Sequence, residues 1–377
     1  MAKKSLIMLA VGDVIHAHPK PEFLFARVLP VLRSADILFG QEEIPSTSRS
    51  AITCARSSFD YTPSPPCDPR GIKALQYAGF HVVSLASNHI WDSGIPGVED
   101  TISGLRKHGI AFTGAGMTLE EARRPAIIER DGTRFGFLAY NCVGPPESWA
   151  NAIKPGCAYV RILTEYELAE PCPGSPPRVF TAAEPRSLQD MIDDIRKLRP
   201  LCDVLVVNFH KGLGFRPMEL AAYEQQISYA ALDAGADLIL GEHAHMLKGI
   251  ETYKGKVIFH GLGNFIVTFK GVPADFFERL RKSTKELYGF DDDSEHPENI
   301  SHPEGSLTFI AKLTIDGGSI SKVSYLPCLI NNEEQPEILK NDKRGQQVYD
   351  YMNKITRGIG LNTKYTWEGD EVIIHSE

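Results

Sequence analysis

The chain has 377 residues, of which 42% are hydrophobic and 23% are charged, and its net charge is -8 at pH 7. This composition is typical of a globular protein and excludes a disordered chain, a collagen and a coiled coil. A net negative charge provides no basic surface for nucleic acid or for an anionic membrane, so neither is expected as a partner.

Short apolar runs of strand length alternate along the chain with amphipathic segments of helix length. Strands are predicted at 6–11, 36–39, 81–85, 134–140, 204–207, 238–240 and 256–259. Helices are predicted at 21–33, 97–107, 186–198 and 218–234. This alternation is typical of an α/β protein with a largely parallel sheet covered by helices. The last of these helices places Tyr223, Ile227 and Ala231 on one face and is expected to end at Gly235.

Two stretches interrupt the alternation. The segment 145–185 is rich in proline and glycine and is interpreted as a long insertion that could cover a site. The segment 291–304 is acidic and polar and is interpreted as a surface loop. After it, 307–313 and 322–326 alternate like antiparallel strands at the edge of a sheet. We therefore expect residues 1–377 to form a single domain with one insertion and one acidic loop.

The chain carries no feature that predicts export or anchoring. The apolar run at 6–11 is far too short for the core of a signal peptide, and no run approaches the ~20 apolar residues that cross a bilayer. The seven cysteines include no Cys-x-x-Cys pair, which favours free thiols over a disulfide framework or a zinc ribbon. A cytoplasmic protein is the expectation, and its oligomeric state stays open.

Polar side chains that can bind metals follow five of the predicted strands. They are Asp13, Glu43, Asn88 with His89, His210, and the group Glu242, His243 and His245. In an open α/β sheet, ligand sites form at the carboxyl ends of the strands. The pattern therefore predicts that these side chains converge on one site.

Carboxylates, imidazoles and an amide oxygen, with no cysteine among them, suit a divalent ion such as Mn, Fe, Zn or Mg. One or two such ions could activate water and bind an oxyanion. Simpler interpretations exist for single residues, because Asp13 after Gly12 could cap a turn and His245 could lie on the surface. The coincidence at five strand ends favours the metal site.

The same positions carry a series of short motifs. In chain order these are Gly12-Asp13, Gln41-Glu42-Glu43-Ile44-Pro45, Asn88-His89 with Asp92-Ser93-Gly94, His210-Lys211-Gly212, Gly241-Glu242-His243-Ala244-His245 and Gly263-Asn264-Phe265. Over residues 5–265 this series resembles the CapA-like bacterial capsule-synthesis (poly-gamma-glutamate) family, a branch of the calcineurin-like metallophosphoesterase superfamily.

The resemblance implies a fold and a set of roles. The fold would be a four-layer α/β/β/α sandwich of the metallophosphoesterase type. His89 would protonate the leaving group, and Asp92 would orient His89. The implied metal ligands are Asp13, Glu43, Asn88, His210, His243 and His245.

The chain departs from the family pattern at three positions. In typical phosphoesterases the first motif is Asp-x-His, whereas here His16 comes one residue later and could point elsewhere if the strand continues. Lys211 replaces a tryptophan, and Glu242 replaces a histidine. Lys211 is interpreted as a cation that contacts an anionic substrate or pairs with Glu242, and the alternative is that it lies in solvent.

Three functions fit these residues. The first is a metal-dependent hydrolase that acts on a phosphoester or an amide of a small molecule or peptide through metal-activated water, with His16, Lys211, His89 and Asp92 as candidate catalytic residues. The second is a metal-dependent peptide Cα epimerase of the lasso-peptide type, in which histidines or Lys211 exchange the proton. The third is a non-catalytic accessory protein of polyglutamate capsule synthesis.

Overall fold

The computed structural model of the chain describes residues 5–49, 63–172, 174–268, 270, 274–289 and 302–375. The strands are β1 (Leu6–His16), β2 (Ile37–Glu42), β3 (Val82–Ser84), β4 (Ala111–Thr113), β5 (Ala115–Gly116), β6 (Ala126–Arg130), β7 (Thr133–Asn141), β8 (Gly156–Cys157), β9 (Ile162–Leu168), β10 (Pro177–Ala183), β11 (Val204–His210), β12 (Leu238–Glu242), β13 (Ile250–Tyr253), β14 (Lys256–Phe259), β15 (Asn264–Thr268), β16 (Leu307–Asp316), β17 (Ser319–Ile330), β18 (Pro336–Ile338), β19 (Lys364–Glu368) and β20 (Glu371–His375). The α-helices are α1 (Leu29–Leu32), α2 (Arg70–Ala78), α3 (Gly94–Lys107), α4 (Leu119–Ala122), α5 (Pro185–Leu198), α6 (Ala222–Ala234), α7 (Ala274–Tyr288) and α8 (Lys343–Gly358).

Two large sheets organise the chain. The first has the order β19-β20-β17-β16-β1-β2-β3-β4, with β15 beside the end of β1 and β18 beside β17. The second has the order β13-β14-β12-β11-β7-β6. The neighbours β1 to β4 are parallel, as are β7, β11, β12 and β14, whereas β16, β17 and β20 are antiparallel. The carboxyl ends of the parallel strands therefore collect the segments that follow them.

The two sheets pack face to face through a buried aromatic and aliphatic layer. Phe39 of the first sheet stacks on Phe137 of the second, with ring centroids 5.7 Å apart. Alternate residues of the same strands face the other way, because successive side chains of a strand point to opposite faces. Leu38 packs with α2 and α3, and Val207 packs with α5 and α6. The order of layers is helices, sheet, sheet, helices, which confirms the four-layer α/β/β/α sandwich.

A bulge in β1 determines which way its polar end faces. The register against β2 shifts between Ala10 and Asp13, so the bulged strand carries one extra residue there. At this point a β-carbon on Gly12 would lie 1.9 Å from the carbonyl oxygen of Gly263, so the approach of the two segments requires glycine. After the bulge, Asp13 is in register with Gln41.

Two predicted helices are shorter than expected. The segment 21–33 forms a 3-10 helix at Pro21–Phe25 and then α1, because Pro30 lacks the N–H that a continuous helix needs. The predicted helix 218–234 begins only at Ala222, and it ends at Gly235 as expected, with φ of 125°. In α6 the side chains of Tyr223, Ile227 and Ala231 are buried against the second sheet.

The insertion at 145–185 has structure of its own. It contains β8 and the antiparallel ribbon of β9 and β10, and the base of the ribbon contacts α6, where the Tyr223 N–H donates to Thr181 Oγ1 over 3.3 Å. Its first part reaches the loop after β3, where the Lys154 ammonium lies 4.1 Å from the centre of the Trp91 ring. The acidic loop predicted at 291–304 lies mostly outside the described residues. Among the residues described, no helix combines the length and the apolar character that crossing a bilayer requires.

The stacking between the sheets yields a stability prediction. Phe137→Ala should lower the free energy of unfolding by about 3–5 kcal/mol, since it leaves a cavity under Phe39 in a fully buried layer. Phe180→Ala is the matched control, because Phe180 lies on the ribbon and is 49% exposed. Urea unfolding of both variants measures the difference, and equal effects would contradict the assigned core.

Candidate metal centre

Two carboxylates and an imidazole form the first group of the site. One ligand atom from each of Asp13, Glu43 and His245 lies within 4.8 Å of the others. Asp13 is in β1, Glu43 directly follows β2, and His245 follows β12. Asp13 and Glu43 are fully buried, whereas the His245 side chain is 20% exposed. The group thus lies where the ends of both sheets meet, with His245 on its open side.

The buried oxygens of this group are poorly satisfied. Within the described parts of the chain, Asp13 Oδ1 and both carboxylate oxygens of Glu43 have no hydrogen-bond donor. Burial raises the pKa of Asp13 to about 6, and burial together with the nearby Asp13 raises the pKa of Glu43 well above its usual range. Adjacent buried carboxylates without donors are costly unless a cation neutralises them. The carboxylate oxygens of Asp13 and Glu43 are therefore suited to bind a divalent metal ion.

A second group of ligand atoms lies beside the first. His210 Nε2 is 2.7 Å from Asn88 Oδ1 and 3.2 Å from His243 Nδ1. His210 ends β11, Asn88 lies in the loop after β3, and His243 directly follows β12. The backbone N–H of His243 donates to Asp13 Oδ2 over 3.3 Å, which connects the two groups. Together the two groups would supply ligand atoms for one ion or for two neighbouring ions.

The imidazoles of the second group are held in the uncharged form. Burial lowers the pKa of His210 well below its ordinary value, and His243 adds to this effect. Burial also lowers the pKa of His243 to about 3, with a contribution from His245. An uncharged imidazole offers a lone pair, which is the form that binds a metal.

His89 and Asp92 form a hydrogen-bonded pair at the edge of the pocket. His89 Nδ1 lies 2.7 Å from Asp92 Oδ2, and the same oxygen accepts the backbone N–H of Ser64. His89 Nε2 lies 4.0 Å from Glu43 Oε1, and the ring is 17% exposed. Burial lowers the pKa of His89, but the Asp92 and Glu43 carboxylates together outweigh burial, and the net shift of the pKa is upward. The ring is placed to hold a proton next to the carboxylates.

Asn264 belongs to the site, although its motif had been assigned no role. Its Oδ1 lies 2.9 Å from His245 Nδ1, and His245 Nε2 lies 3.4 Å from Glu43 Oε1. Asn264 is in register with Asp13 in the parallel pair of β1 and β15. The amide therefore orients the imidazole so that Nε2 is presented to Glu43, while Nδ1 lies 3.7 Å from Asp13 Oδ2. The signal in the sequence was the Gly263-Asn264-Phe265 motif itself.

His16 does not join the pocket, which corrects its assignment as a catalytic residue. Its Nε2 lies 2.8 Å from Glu42 Oε1, and both side chains are buried. Because β1 continues through residue 16, His16 faces away from Asp13 and toward α2, where a β-carbon on Gly71 would lie 1.9 Å from its ring. His16 and Glu42 thus form a buried pair that joins β1 to β2.

Lys211 does not face the pocket and does not lie in solvent, which corrects both its assignment as a catalytic residue and the solvent alternative. It is fully buried, with Nζ 2.8 Å from His260 Nδ1 and 3.7 Å from Glu224 Oε2. Lys211 follows His210, which faces the pocket, and consecutive side chains of a strand point to opposite faces. Lys211 therefore points toward α6. Burial lowers the pKa of Lys211 to about 8, although Glu224 opposes the shift.

The Glu242 side chain pairs with an amide instead of with Lys211. Asn208 Nδ2 donates to Glu242 Oε2, while among the residues described no donor reaches Glu242 Oε1. Burial and the nearby Asp13 raise the pKa of Glu242 well above its usual range. Lys211 meets Glu242 only through the backbone, where its N–H donates to the Glu242 carbonyl over 3.1 Å.

The pairing of His16 with Glu42 yields a testable prediction. His16→Gln should lower the free energy of unfolding by about 3 kcal/mol, because it leaves Glu42 buried without its partner, and should leave metal binding unchanged. Burial lowers the pKa of His16, but Glu42 and Cys67 together outweigh burial and raise the pKa well above its ordinary value. The stabilisation is therefore present below about pH 6.5 and is lost as pH rises through the higher pKa of the folded state. Urea unfolding of both proteins at neutral and alkaline pH measures the difference. Loss of bound metal in the variant would contradict this position and indicate that His16 belongs to the metal site.

Comparisons with known proteins agree with the motifs. The chain matches the family described as "Bacterial capsule synthesis protein PGA_cap" over residues 7–268. It is 28% identical over 244 residues to "PGA biosynthesis protein CapA" of Bacillus subtilis (strain 168), which covers 64% of this chain and 56% of that protein. It is 26% identical over 273 residues to "Capsule biosynthesis protein CapA" of Bacillus anthracis, which covers 70% of this chain and 60% of that protein. The chain thus spans less than two thirds of either relative.

A solved structure of a calcineurin-like phosphoesterase from Bacillus subtilis is also similar, with a TM-score of 0.38 and 12% identity over 94% of this chain and 98% of that one. Since the family match covers residues 7–268, well over half of the 377 residues, the chain belongs to the bacterial capsule synthesis protein PGA_cap family.

Proposed function

We propose that the protein is a metal-dependent hydrolase of phosphoester or amide bonds. The observation that carries this proposal is the pair of buried carboxylates, Asp13 and Glu43. Among the described residues three of their four oxygens have no donor, and three imidazoles lie beside them. The ligands would be Asp13, Glu43 and His245 in one group and Asn88, His210 and His243 in the other. Oxygen and imidazole donors without thiolate suit Mn, Fe, Zn or Mg. Such an ion would lower the pKa of a coordinated water and polarise a phosphoryl or carbonyl oxygen of the substrate.

The residues around the ligands have separate tasks in this proposal. His89 gives a proton to the leaving group, since its Nδ1 is held by Asp92 and its Nε2 faces the pocket at 4.0 Å from Glu43. Asp92 is a positioning residue that selects the tautomer of His89. Asn264 does the same for His245 through its 2.9 Å hydrogen bond.

The epimerase alternative has less support. It needs side chains that exchange a proton at a peptide Cα, and Lys211, one of the candidates, is buried against Glu224 and His260. Incubation of substrate and protein in heavy water separates the two reactions. Deuterium in an intact substrate would favour the epimerase, and a cleaved product would favour the hydrolase. Metal binding without either reaction would favour an accessory protein that binds its ligand.

Metal content provides the first test of the proposal. His210→Ala and His245→Ala should each lose most of the bound divalent metal, because each removes one of few ligands from its group. His375→Ala is the matched control, since His375 is exposed at the end of β20 and bonds to Thr366. Elemental analysis after dialysis measures the metal per chain. If both pocket variants retain the wild-type amount, the site is misplaced.

Turnover provides the second test. His89→Asn should lower kcat by ~100-fold or more while metal content stays at the wild-type level, since the imidazole acts on protons and not as a ligand. Activity against aryl phosphoesters and peptide amides, measured beside elemental analysis, gives both quantities, and His375→Asn serves as control. A His89→Asn protein with wild-type activity would remove His89 from the mechanism.

A further inference from the structure

An aromatic ring lies against the open side of the first ligand group. The Phe215 ring stacks on the His245 ring, with centroids 5.7 Å apart and an angle of 24° between the planes. Phe215 is partly buried and follows β11 in the loop that begins with Lys211. Because Lys211 points inward to Glu224, Phe215 supplies the flat surface of this loop next to the pocket.

The position of Phe215 is constrained by the backbone. Its φ is 54°, in the left-handed region that residues with a β-carbon rarely adopt. Its N–H donates to the carbonyl of Ala244 over 3.0 Å. Ala244 separates His243 from His245, so this hydrogen bond ties the ring to the histidine segment itself. The ring therefore keeps its place relative to the ligands.

A second aromatic ring completes a corner with the first. Tyr288, the last residue of α7, packs edge-on against Phe215 with centroids 4.9 Å apart, and it is 39% exposed. A β-carbon on Gly214 would lie 3.3 Å from the Tyr288 hydroxyl, so α7 and the loop approach closely.

We infer that Phe215 and Tyr288 form a specificity wall that selects substrates with an aromatic or flat apolar group next to the reacting phosphoryl. Aromatic rings prefer to stack or to pack edge to face, so the solvent-accessible parts of Phe215 and Tyr288 suit a flat apolar group. This inference rests on the proposed function, because it assigns the substrate class of the same pocket.

Binding of non-hydrolysable anions tests the wall without any turnover. Calorimetry on the manganese-loaded protein should give roughly tenfold tighter binding of phenylphosphonate than of methylphosphonate, because only the phenyl group reaches the two rings. Phe215→Leu with Tyr288→Leu should lose most of this preference, and Phe215→Tyr should keep it. Tyr166→Leu is the matched control, since Tyr166 is 68% exposed on the ribbon.

Each result decides between the two proposals. A preference for phenylphosphonate that survives Phe215→Leu with Tyr288→Leu would overturn the specificity wall. An equal loss of affinity for both phosphonates in this double variant would also overturn it. A preference lost only in the wall variants supports it, even if no phosphoester is cleaved, in which case the hydrolase proposal alone fails. Cleavage of alkyl and aryl phosphates at equal kcat/KM, with no binding preference, would support the hydrolase proposal and contradict the specificity wall.

Discussion

Two buried carboxylates that lie side by side constrain the rest of this protein. Asp13 and Glu43 are fully buried, and among the described residues three of their four oxygens have no donor. Repulsion and lost hydration would disfavour this arrangement unless a cation lies between the carboxylates. The surrounding residues fit that requirement, because the nearby imidazoles of His210 and His243 are held uncharged and can serve as ligands. The sheet ends are organised around this requirement.

The bulge in β1 allows the two carboxylates to lie side by side. A one-residue shift exchanges the two faces of a strand, so the bulge turns Asp13 toward the space between the sheets and His16 toward the helices. The bulge depends on contact between Gly12 and Gly263, which also brings Asn264 next to His245. A single close approach of two backbone segments thus orients a carboxylate and an imidazole of the same group.

Behind the pocket lies a buried network of charged side chains. Glu224 lies between the ammonium groups of Lys211 and Lys248, at 3.7 Å and 3.6 Å, and His260 connects Lys211 to Glu251. The network joins the end of β11, α6 and β13. Since Lys211 directly follows His210, the same contacts hold that histidine at its strand end. Buried ion pairs are poor sources of net stability, so their value here is the position they enforce.

The sequence by itself predicted the alternation of strands and helices and the polar residues at the strand ends, and the resemblance of its motifs implied the four layers and the six candidate ligands. Apolar periodicity is local, and polar residues that directly follow predicted strands meet wherever those strands are parallel neighbours. Only the tertiary structure decided the direction of His16 and Lys211, because a bulge and a strand end set the face of each side chain. The contact of Phe215 with Tyr288 could not be predicted from the sequence either, since it joins a loop to the end of a helix that is distant in the chain. Periodicity carries information over a few residues, whereas such contacts depend on packing between segments far apart in the chain.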